Sequence, residues 1–264
     1  MISNTHEDVA RRLRLAEDDV TAIAPLTETI PGFTADDAYA VQLELVRAWV
    51  AEGRVVVGHK IGLTSRAMRE QMGVDEPDYG HLFADMVAAG HTIYSVGSFI
   101  NPRVEPEIGI ILGSTLEGPG VTYQTARAAI ESVVASLEVV DSRISDWRIK
   151  LEDTVGDNGS AARVVLGRNR FPAESLDLES LSVRMQKNEE EPLVGVGRDV
   201  LGSPVEALAW LANTLGARGV HLKAGSLIIP GAMTASVAVS AGDRVTATFD
   251  ELGTVSVDFI GERR

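Results

Sequence analysis

The segment Pro102-Arg103-Val104-Glu105-Pro106-Glu107-Ile108-Gly109-Ile110-Ile111-Leu112 predicts a buried β-strand whose first half carries two carboxylates. Residues two apart on a strand point to the same face, so Glu105 and Glu107 share one space. Like charges held together repel unless a positive group lies between them. A divalent cation such as Mg²⁺ or Mn²⁺ accepts such oxygen ligands, and Glu138 in a second apolar run is a third candidate ligand. The alternative is a strand end where both glutamates face water or pair with Arg103.

Composition limits the classes of protein and partner. The chain has 264 residues, 45% of them apolar, which is enough for one large domain or a small element attached to a large one. A formal net charge of -14 argues against a nucleic acid or an anionic membrane as partner. The absence of cysteine excludes thiolate chemistry and disulfides. Neither a signal peptide nor a run of 18 apolar residues is apparent, which predicts a soluble cytoplasmic protein.

The order of predicted elements indicates an α+β fold. Helices are predicted over residues 5–20 and 34–52, with Thr34 as the N-cap of the second, and together they would form an N-terminal helical cap over residues 1–53. A β-rich catalytic domain would follow over residues 54–264. A further helix is predicted from Ser203 to about residue 215. The predicted strands cover residues 54–58, 108–113, 134–141, 162–167, 181–187, 193–197, 226–230, 244–249 and 254–259.

A lysine lies in an unusual position in Gly58-His59-Lys60-Ile61-Gly62-Leu63-Thr64-Ser65. It follows a run of valines and precedes the N-terminus of a predicted short helix reaching Met72, where backbone N–H groups can gather an anion. Desolvation of Lys60 would lower its pKa toward a range useful for acid–base chemistry. The alternative is a lysine at a strand end with its ammonium in water. Asp78, taken alone, is typical of a turn.

Several of these segments together resemble the 2-oxopent-4-enoate hydratase and 4-oxalocrotonate decarboxylase family, which is related to the fumarylacetoacetate hydrolases. The resemblance runs from about residue 8 to 260. It implies a mixed, curved β-roll with the N-terminal helices packed outside. It also implies that Glu105, Glu107 and Glu138 hold Mg²⁺ or Mn²⁺, and that Lys60 and Asp78 are catalytic. The segments that carry it are residues 58–65, 72–80, 102–107, 137–143 and 153–160.

The activity that the resemblance implies is hydration. A 2-hydroxy-2,4-dienoate from an aromatic meta-cleavage pathway would be protonated at its far end, and water would add at carbon 4 to give a 4-hydroxy-2-oxo acid. Lys60 and Asp78 would handle the protons. Leu63, Thr64 and Ser65 would help to hold the carboxylate of this small anionic substrate.

The resemblance leaves decarboxylation of 4-oxalocrotonate as an alternative. Asp78 and residues 144–149 resemble the hydratases, whereas residues 233–239 and Arg163 resemble the decarboxylases, in which Arg163 would meet the distal carboxylate of a diacid. A third possibility is a catalytically silent partner subunit, because hydratases and decarboxylases of this family form complexes. The resemblance also implies a homo-oligomer and a complex with a pathway decarboxylase or aldolase.

Overall fold

The computed structural model describes residues 5–65, 69–70 and 74–261. No helix in this part of the chain is long and apolar enough to cross a membrane. The helices with described bounds are α1 (His6–Asp18), α2 (Leu26–Thr29), α3 (Ala35–Ala51), α4 (Tyr123–Ala129), α5 (Leu151–Gly156) and α6 (Pro204–Gly216).

Strands make up most of the chain after α3. In chain order they are β1 (Val56–Gly62), β2 (Asp78–Phe83), β3 (Val87–Ala89), β4 (His91–Ser95), β5 (Arg103–Leu112), β6 (Ile130–Val140), β7 (Ala161–Leu166), β8 (Phe171–Pro172), β9 (Ser182–Lys187), β10 (Leu193–Val196), β11 (Leu227–Ile229), β12 (Val237–Ala238), β13 (Arg244–Phe249) and β14 (Gly253–Ile260).

The helix starts are fixed by side chains that satisfy free backbone N–H groups. Thr34 accepts a hydrogen bond from the Asp37 N–H, and Asp37 accepts one from the Thr34 N–H, which forms a capping box before α3. Ser203 Oγ accepts from the Val205 N–H, and Pro204 occupies the first turn of α6. The positions of α1, α3 and α6 confirm three of the four helices predicted from the sequence.

The described strands form two open sheets. The larger has nine strands in the order β2-β1-β11-β5-β6-β7-β3, with β12 paired to β5 and β8 paired to β6. The smaller has five strands in the order β10-β9-β13-β14-β4. Most pairs are antiparallel, but β1–β11, β3–β7 and β4–β14 are parallel. The mixed sheets confirm the predicted α+β class.

The described residues form three buried hydrophobic clusters, and two of these join different layers. In the main core, Ile108 and Leu137 of the larger sheet share a buried cluster with Phe249 of the smaller sheet and Leu208 of α6. In the other, α1 and α3 pack together and share a buried cluster with strand β2 and its neighbours. The N-terminal helices therefore lie against the large sheet. A domain boundary at residue 53 stays a prediction.

Some elements did not follow from the sequence patterns. Strands β2 to β4 and helices α4 and α5 were not predicted, and β1 extends to Gly62, four residues beyond its predicted end. Strand β2 is buried throughout although it contains Asp78 and His81, so it lacks the alternation of an ordinary surface strand. The predicted helix reaching Met72 falls largely on residues outside those described.

Candidate functional site

Three carboxylates converge where β5 and β6 pair. Glu105 is directly opposite Glu138 in the antiparallel register, and Glu107 follows two residues later on the same face of β5. One oxygen of each side chain lies within 4.8 Å of the others. Glu107 and Glu138 are buried, whereas Glu105 is partly exposed and lines a cavity. The structure thus brings together the three side chains proposed as metal ligands.

The electrostatics of the cluster favour a bound cation. Burial, followed by the charge of Glu138, raises the pKa of Glu107 well above its ordinary value. Burial also raises the pKa of Glu138 to about 7, although the charge of Lys60 opposes this shift. Glu107 Oε2 accepts a hydrogen bond from the Gly231 N–H at 2.6 Å, but Oε1 of Glu107 and of Glu138 have no hydrogen-bond partner among the described residues. Buried, unsatisfied carboxylate oxygens fit Mg²⁺ or Mn²⁺.

Lys60 lies on β1 beside the cluster. Its Nζ is 3.5 Å from Glu138 Oε2 and donates a hydrogen bond to the Gly159 carbonyl at 3.0 Å. Burial alone would lower the pKa of Lys60, but the negative charges of Glu138, Asp78 and Glu105 outweigh burial and raise it. The predicted lowering of the Lys60 pKa by desolvation was wrong, because that prediction left out these carboxylates. This shift favours the ammonium form of Lys60.

Asp78 begins β2 and lies opposite Gly62 in the register. A Cβ at residue 62 would be only 2.1 Å from Asp78 Oδ1, so this close approach requires glycine. Burial raises the pKa of Asp78, although Lys60 and hydrogen bonds from the Thr154 side chain and the Gly62 backbone favour the carboxylate. The interpretation of Asp78 as a turn residue was wrong. It is a buried strand residue.

Both Lys60 and Asp78 line a cavity of about 1040 Å³, together with Leu63, Thr64 and Ser65. Leu63 has a left-handed backbone conformation with φ 56°, which turns the chain at the end of β1. Thr64 packs so closely on Gly231 that a Cβ there would lie 2.1 Å from Thr64 Oγ1. The turn over residues 63–65 is therefore held against the backbone segment that also binds Glu107.

Arg163 is not among the residues that line this cavity. Its guanidinium lies 5.6 Å from the centre of the Phe99 ring, and its Nη1 donates to the Ala162 carbonyl. This placement gives no support to the predicted contact with a distal substrate carboxylate.

Other arginines line the cavity and were not proposed as substrate ligands from the sequence. Arg103 Nε donates to Ser236 Oγ at 2.7 Å, and Arg103 Nη2 donates to the Ser236 carbonyl at 3.0 Å. Arg69 Nη1 donates to the carbonyls of Leu63 and Thr64. The sequence could have indicated Arg103 as a cavity residue, because it lies two residues before Glu105 and both side chains therefore lie on one face of β5.

Known proteins resemble the chain over nearly its whole length. The 2-keto-4-pentenoate hydratase 1 of Dechloromonas aromatica (strain RCB) is 44% identical over 253 residues, which cover 96% of each chain. The 2-hydroxyhexa-2,4-dienoate hydratase of Comamonas testosteroni is 41% identical over 255 residues, which cover 96% of this chain and 97% of that protein. A solved structure of 4-oxalocrotonate decarboxylase from Pseudomonas putida G7, complexed with magnesium and adipate, matches with a TM-score of 0.93 and 38% identity over 97% of each chain.

A family model agrees with these relatives. The model described as fumarylacetoacetate (FAA) hydrolase, C-terminal, matches residues 57–260. This match begins in β1 and extends to the end of β14, so it includes Lys60, Asp78 and the three glutamates. The chain therefore belongs to the fumarylacetoacetate hydrolase family, as the resemblance of its sequence segments predicted.

Proposed function

We propose that the protein is a metal-dependent hydratase that adds water to a short 2-hydroxy-2,4-dienoate and releases a 4-hydroxy-2-oxo acid. The observation that carries this proposal is the presence of two buried titratable groups, Lys60 and Asp78, in one cavity beside a cluster of three carboxylates. Relatives that are 44% and 41% identical are named as hydratases of this substrate class.

The metal site of the proposed enzyme consists of Glu105, Glu107 and Glu138, with Mg²⁺ or Mn²⁺ as the cation. A divalent cation bound there would act as a Lewis acid on the oxygens of the substrate carboxylate and of carbon 2. The related decarboxylase of known structure is complexed with magnesium.

The residues of the chain must move protons for the reaction to balance. The 2-hydroxyl group loses a proton while carbon 5 gains one, and water then gives its hydroxyl group to carbon 4 and a proton to carbon 3. The neighbouring carboxylates favour the ammonium form of Lys60, which the Gly159 carbonyl and Glu138 hold in place, so the ammonium can donate to a substrate oxygen. Asp78 has a raised pKa and therefore exchanges its proton closer to neutral pH than an exposed aspartate does.

The same cavity offers groups that bind an anion. Thr64 and Ser65 lie at its wall beside Lys60, and the guanidinium of Arg103 is fixed by two hydrogen bonds to Ser236. A guanidinium held in this way can form directed hydrogen bonds with a carboxylate. We assign these groups to substrate binding.

Decarboxylation of a 2-oxo-enedioate is the second candidate. The related decarboxylase structure holds adipate, which is a diacid, and Arg103 and Arg198 supply positive charge in the cavity for a second carboxylate. Asp78 favours hydration, because an aspartate at this position resembles the hydratases of the family. A silent partner subunit is disfavoured by the intact set of Lys60, Asp78 and three glutamates.

A comparison of two substrates tests the proposal. Purified protein with Mg²⁺ or Mn²⁺ is assayed for loss of 2-hydroxypenta-2,4-dienoate absorbance and for carbon dioxide release from 2-oxohex-3-enedioate. We expect hydration of the monoacid to be the faster reaction. Faster release of carbon dioxide would assign the decarboxylase activity, and the absence of both reactions would favour the silent subunit.

The proposal also covers the oligomeric state, the partner enzymes and the cellular location of the protein. We propose a homo-oligomer and a complex with a pathway decarboxylase or aldolase, and a cytoplasmic location, in accord with the sequence resemblance. Sedimentation of the purified protein, alone and with a candidate partner, tests both forms of association.

A further inference from the structure

Three consecutive residues beside Lys60 have a left-handed backbone conformation. Asn158 has φ 53°, Gly159 has φ 62° and Ser160 has φ 54°, and all three are buried. This conformation is unfavourable for residues that carry a Cβ, and it persists only where the surrounding structure holds it. Such backbone strain is concentrated at functional sites. We call residues 158–160 the left-handed turn.

The side chain of Asn158 clamps this turn to β2. Its Oδ1 accepts a hydrogen bond from the His81 N–H at 2.7 Å, and its Nδ2 donates to the His81 carbonyl at 2.9 Å. The amide thus satisfies both backbone groups of one strand residue, as a neighbouring strand would. An aspartate at this position could accept from the N–H but could not donate to the carbonyl.

The other end of the turn is held by a buried ion pair. Asp157 Oδ2 accepts hydrogen bonds from Ser160 Oγ at 3.1 Å and from the Arg143 N–H at 3.1 Å. Arg143 Nε also donates to Asp157 Oδ1. The turn is therefore tied at one end to β2 and at the other to the segment after β6.

The turn in its clamped form contacts Lys60 directly. The Gly159 carbonyl accepts the hydrogen bond from Lys60 Nζ at 3.0 Å. The packing is close, because a Cβ on Gly159 would lie 3.0 Å from Lys60 Cδ, and a Cβ on Gly80 would lie 2.2 Å from the Asn158 carbonyl oxygen. The position of the Gly159 carbonyl therefore helps to determine where the Lys60 ammonium lies relative to Glu138.

We propose that Asn158 is a positioning residue that acts through Lys60: its amide fixes the left-handed turn so that the Gly159 carbonyl holds the Lys60 ammonium at the substrate. This inference rests on the proposed function only in that Lys60 is taken as catalytic. Misplacement of a catalytic group by about 1 Å can lower a rate by about 10²-fold, so the loss of the clamp has a measurable effect.

The Asn158→Gly variant separates the clamp from backbone strain. Glycine adopts the left-handed conformation readily, so the variant removes both hydrogen bonds to His81 without adding backbone strain. Gln42→Ala is the matched control, because Gln42 is also a buried amide whose Nε2 donates to two carbonyls, those of Tyr79 in β2 and Val155 in α5. It removes two comparable bonds without touching the turn.

A double-mutant cycle with Lys60→Ala provides the decisive measurement. We expect Asn158→Gly to lower kcat by about 10-fold or more when Lys60 is present, and by less than about twofold when residue 60 is alanine, because the two side chains act as one unit. Gln42→Ala should change kcat by the same factor in both backgrounds. An equal loss for Asn158→Gly in both backgrounds, or no loss in either, would overturn the proposal, and so would full activity of Lys60→Ala.

A crystal structure of Asn158→Gly provides a second readout that does not depend on activity. We expect Lys60 Nζ to have moved out of hydrogen-bonding distance of the Gly159 carbonyl, and an unchanged contact contradicts the proposal. If the wild type proves to be a decarboxylase, the proposed reaction fails and the same cycle is measured on carbon dioxide release. If the wild type catalyses neither reaction, the crystal structure alone decides.

Discussion

Lys60 Nζ lies 3.5 Å from Glu138 Oε2, and both side chains are buried. Lys60 therefore supplies positive charge to a cluster in which Glu105, Glu107 and Glu138 each place an oxygen within 4.8 Å of the others. One ammonium cannot neutralise three carboxylates. Burial, with a smaller contribution from the charge of Glu105, raises the pKa of Glu138, and the surplus negative charge makes the cluster suitable for a divalent cation.

Removal of this ammonium should separate catalysis from metal binding. We expect Lys60→Ala to lower kcat by about 10²-fold or more, the effect typical of a positioned acid or base. Metal affinity should be retained or increased, because a competing positive charge is lost. Steady-state kinetics at saturating metal and titration calorimetry measure the two effects. A large loss of metal affinity with unchanged kcat would contradict the catalytic role.

Replacement of the glutamates should weaken metal binding, which replacement of Lys60 should not. Replacement of Glu105, Glu107 or Glu138 by Gln removes one negative charge from the cluster, so we expect the Kd for Mg²⁺ or Mn²⁺ to rise by about 10-fold or more. Glu131→Gln is the control, because Glu131 lies on the same strand as Glu138 but is exposed. Titration calorimetry on the apoprotein measures the affinity. Wild-type affinity in all three variants would exclude this cluster as the metal site.

Periodic patterns in the sequence predicted many of the helices and strands, but a strand with polar residues and glycine was missed. The Glu-x-Glu spacing on a strand placed Glu105 and Glu107 on one face, and the sequence also named Glu138 as a third candidate ligand. The register of β5 with β6 then placed Glu138 opposite Glu105. Strand β2 was missed because Asp78 and Gly80 have turn propensity. In the structure both lie in a buried strand, where Asp78 lines the cavity and Gly80 allows the close approach of Asn158. Tertiary contacts overrode local propensity there.

The contacts of Arg163 could not be predicted from its position in the sequence. Its position in the sequence matched a feature of decarboxylases, but the face of a strand on which a side chain lies depends on register. In β7 the register with β6 pairs Arg163 with Val139 and not with Glu138. Arg103 lies two residues before Glu105 and so shares its face of β5, which was predictable, but its contact with Ser236 joins distant parts of the chain.

The pairing of Gly62 with Asp78 permits a test that leaves the charge of Asp78 unchanged. A Cβ at residue 62 would lie 2.1 Å from Asp78 Oδ1, so Gly62→Ala must displace the carboxyl group. We expect Gly62→Ala and Asp78→Asn each to lower kcat for hydration by about 10-fold or more with little change in metal affinity. Kinetics and calorimetry measure these effects. Full activity of Asp78→Asn would remove Asp78 from the proposed proton transfers.

The two arginines give a matched pair of variants for substrate binding. Arg103 lines the cavity and Arg163 does not. We expect Arg103→Gln to raise KM for the anionic substrate by about 10-fold, since a charged hydrogen bond contributes roughly 1.5–3 kcal/mol. Arg163→Gln should leave KM nearly unchanged. A rise in KM only for Arg163→Gln, measured with the diacid, would instead restore the decarboxylase interpretation of that residue.

A pair of buried histidines behind the site makes stability depend on pH. His59 and His81 lie opposite each other on β1 and β2, with their ring centres 4.8 Å apart. Burial lowers the pKa of His59 from 6.5 to about 3 and that of His81 from 6.5 to about 4. Between pH 6.5 and 4 the unfolded chain therefore binds more protons than the folded protein at these residues. Their contribution to the free energy of unfolding falls as the pH falls through this window.

A comparison of urea unfolding at pH 7 and pH 5 isolates this contribution. At pH 5 each buried neutral histidine should lower the free energy of unfolding by on the order of 2 kcal/mol relative to pH 7. Because His59→Leu removes one titrating group, we expect its loss of stability between the two pH values to be smaller by about that amount. His221→Leu is the control, since His221 is exposed. Equal pH dependence in the wild type and His59→Leu would mean that folding does not lower the pKa of His59.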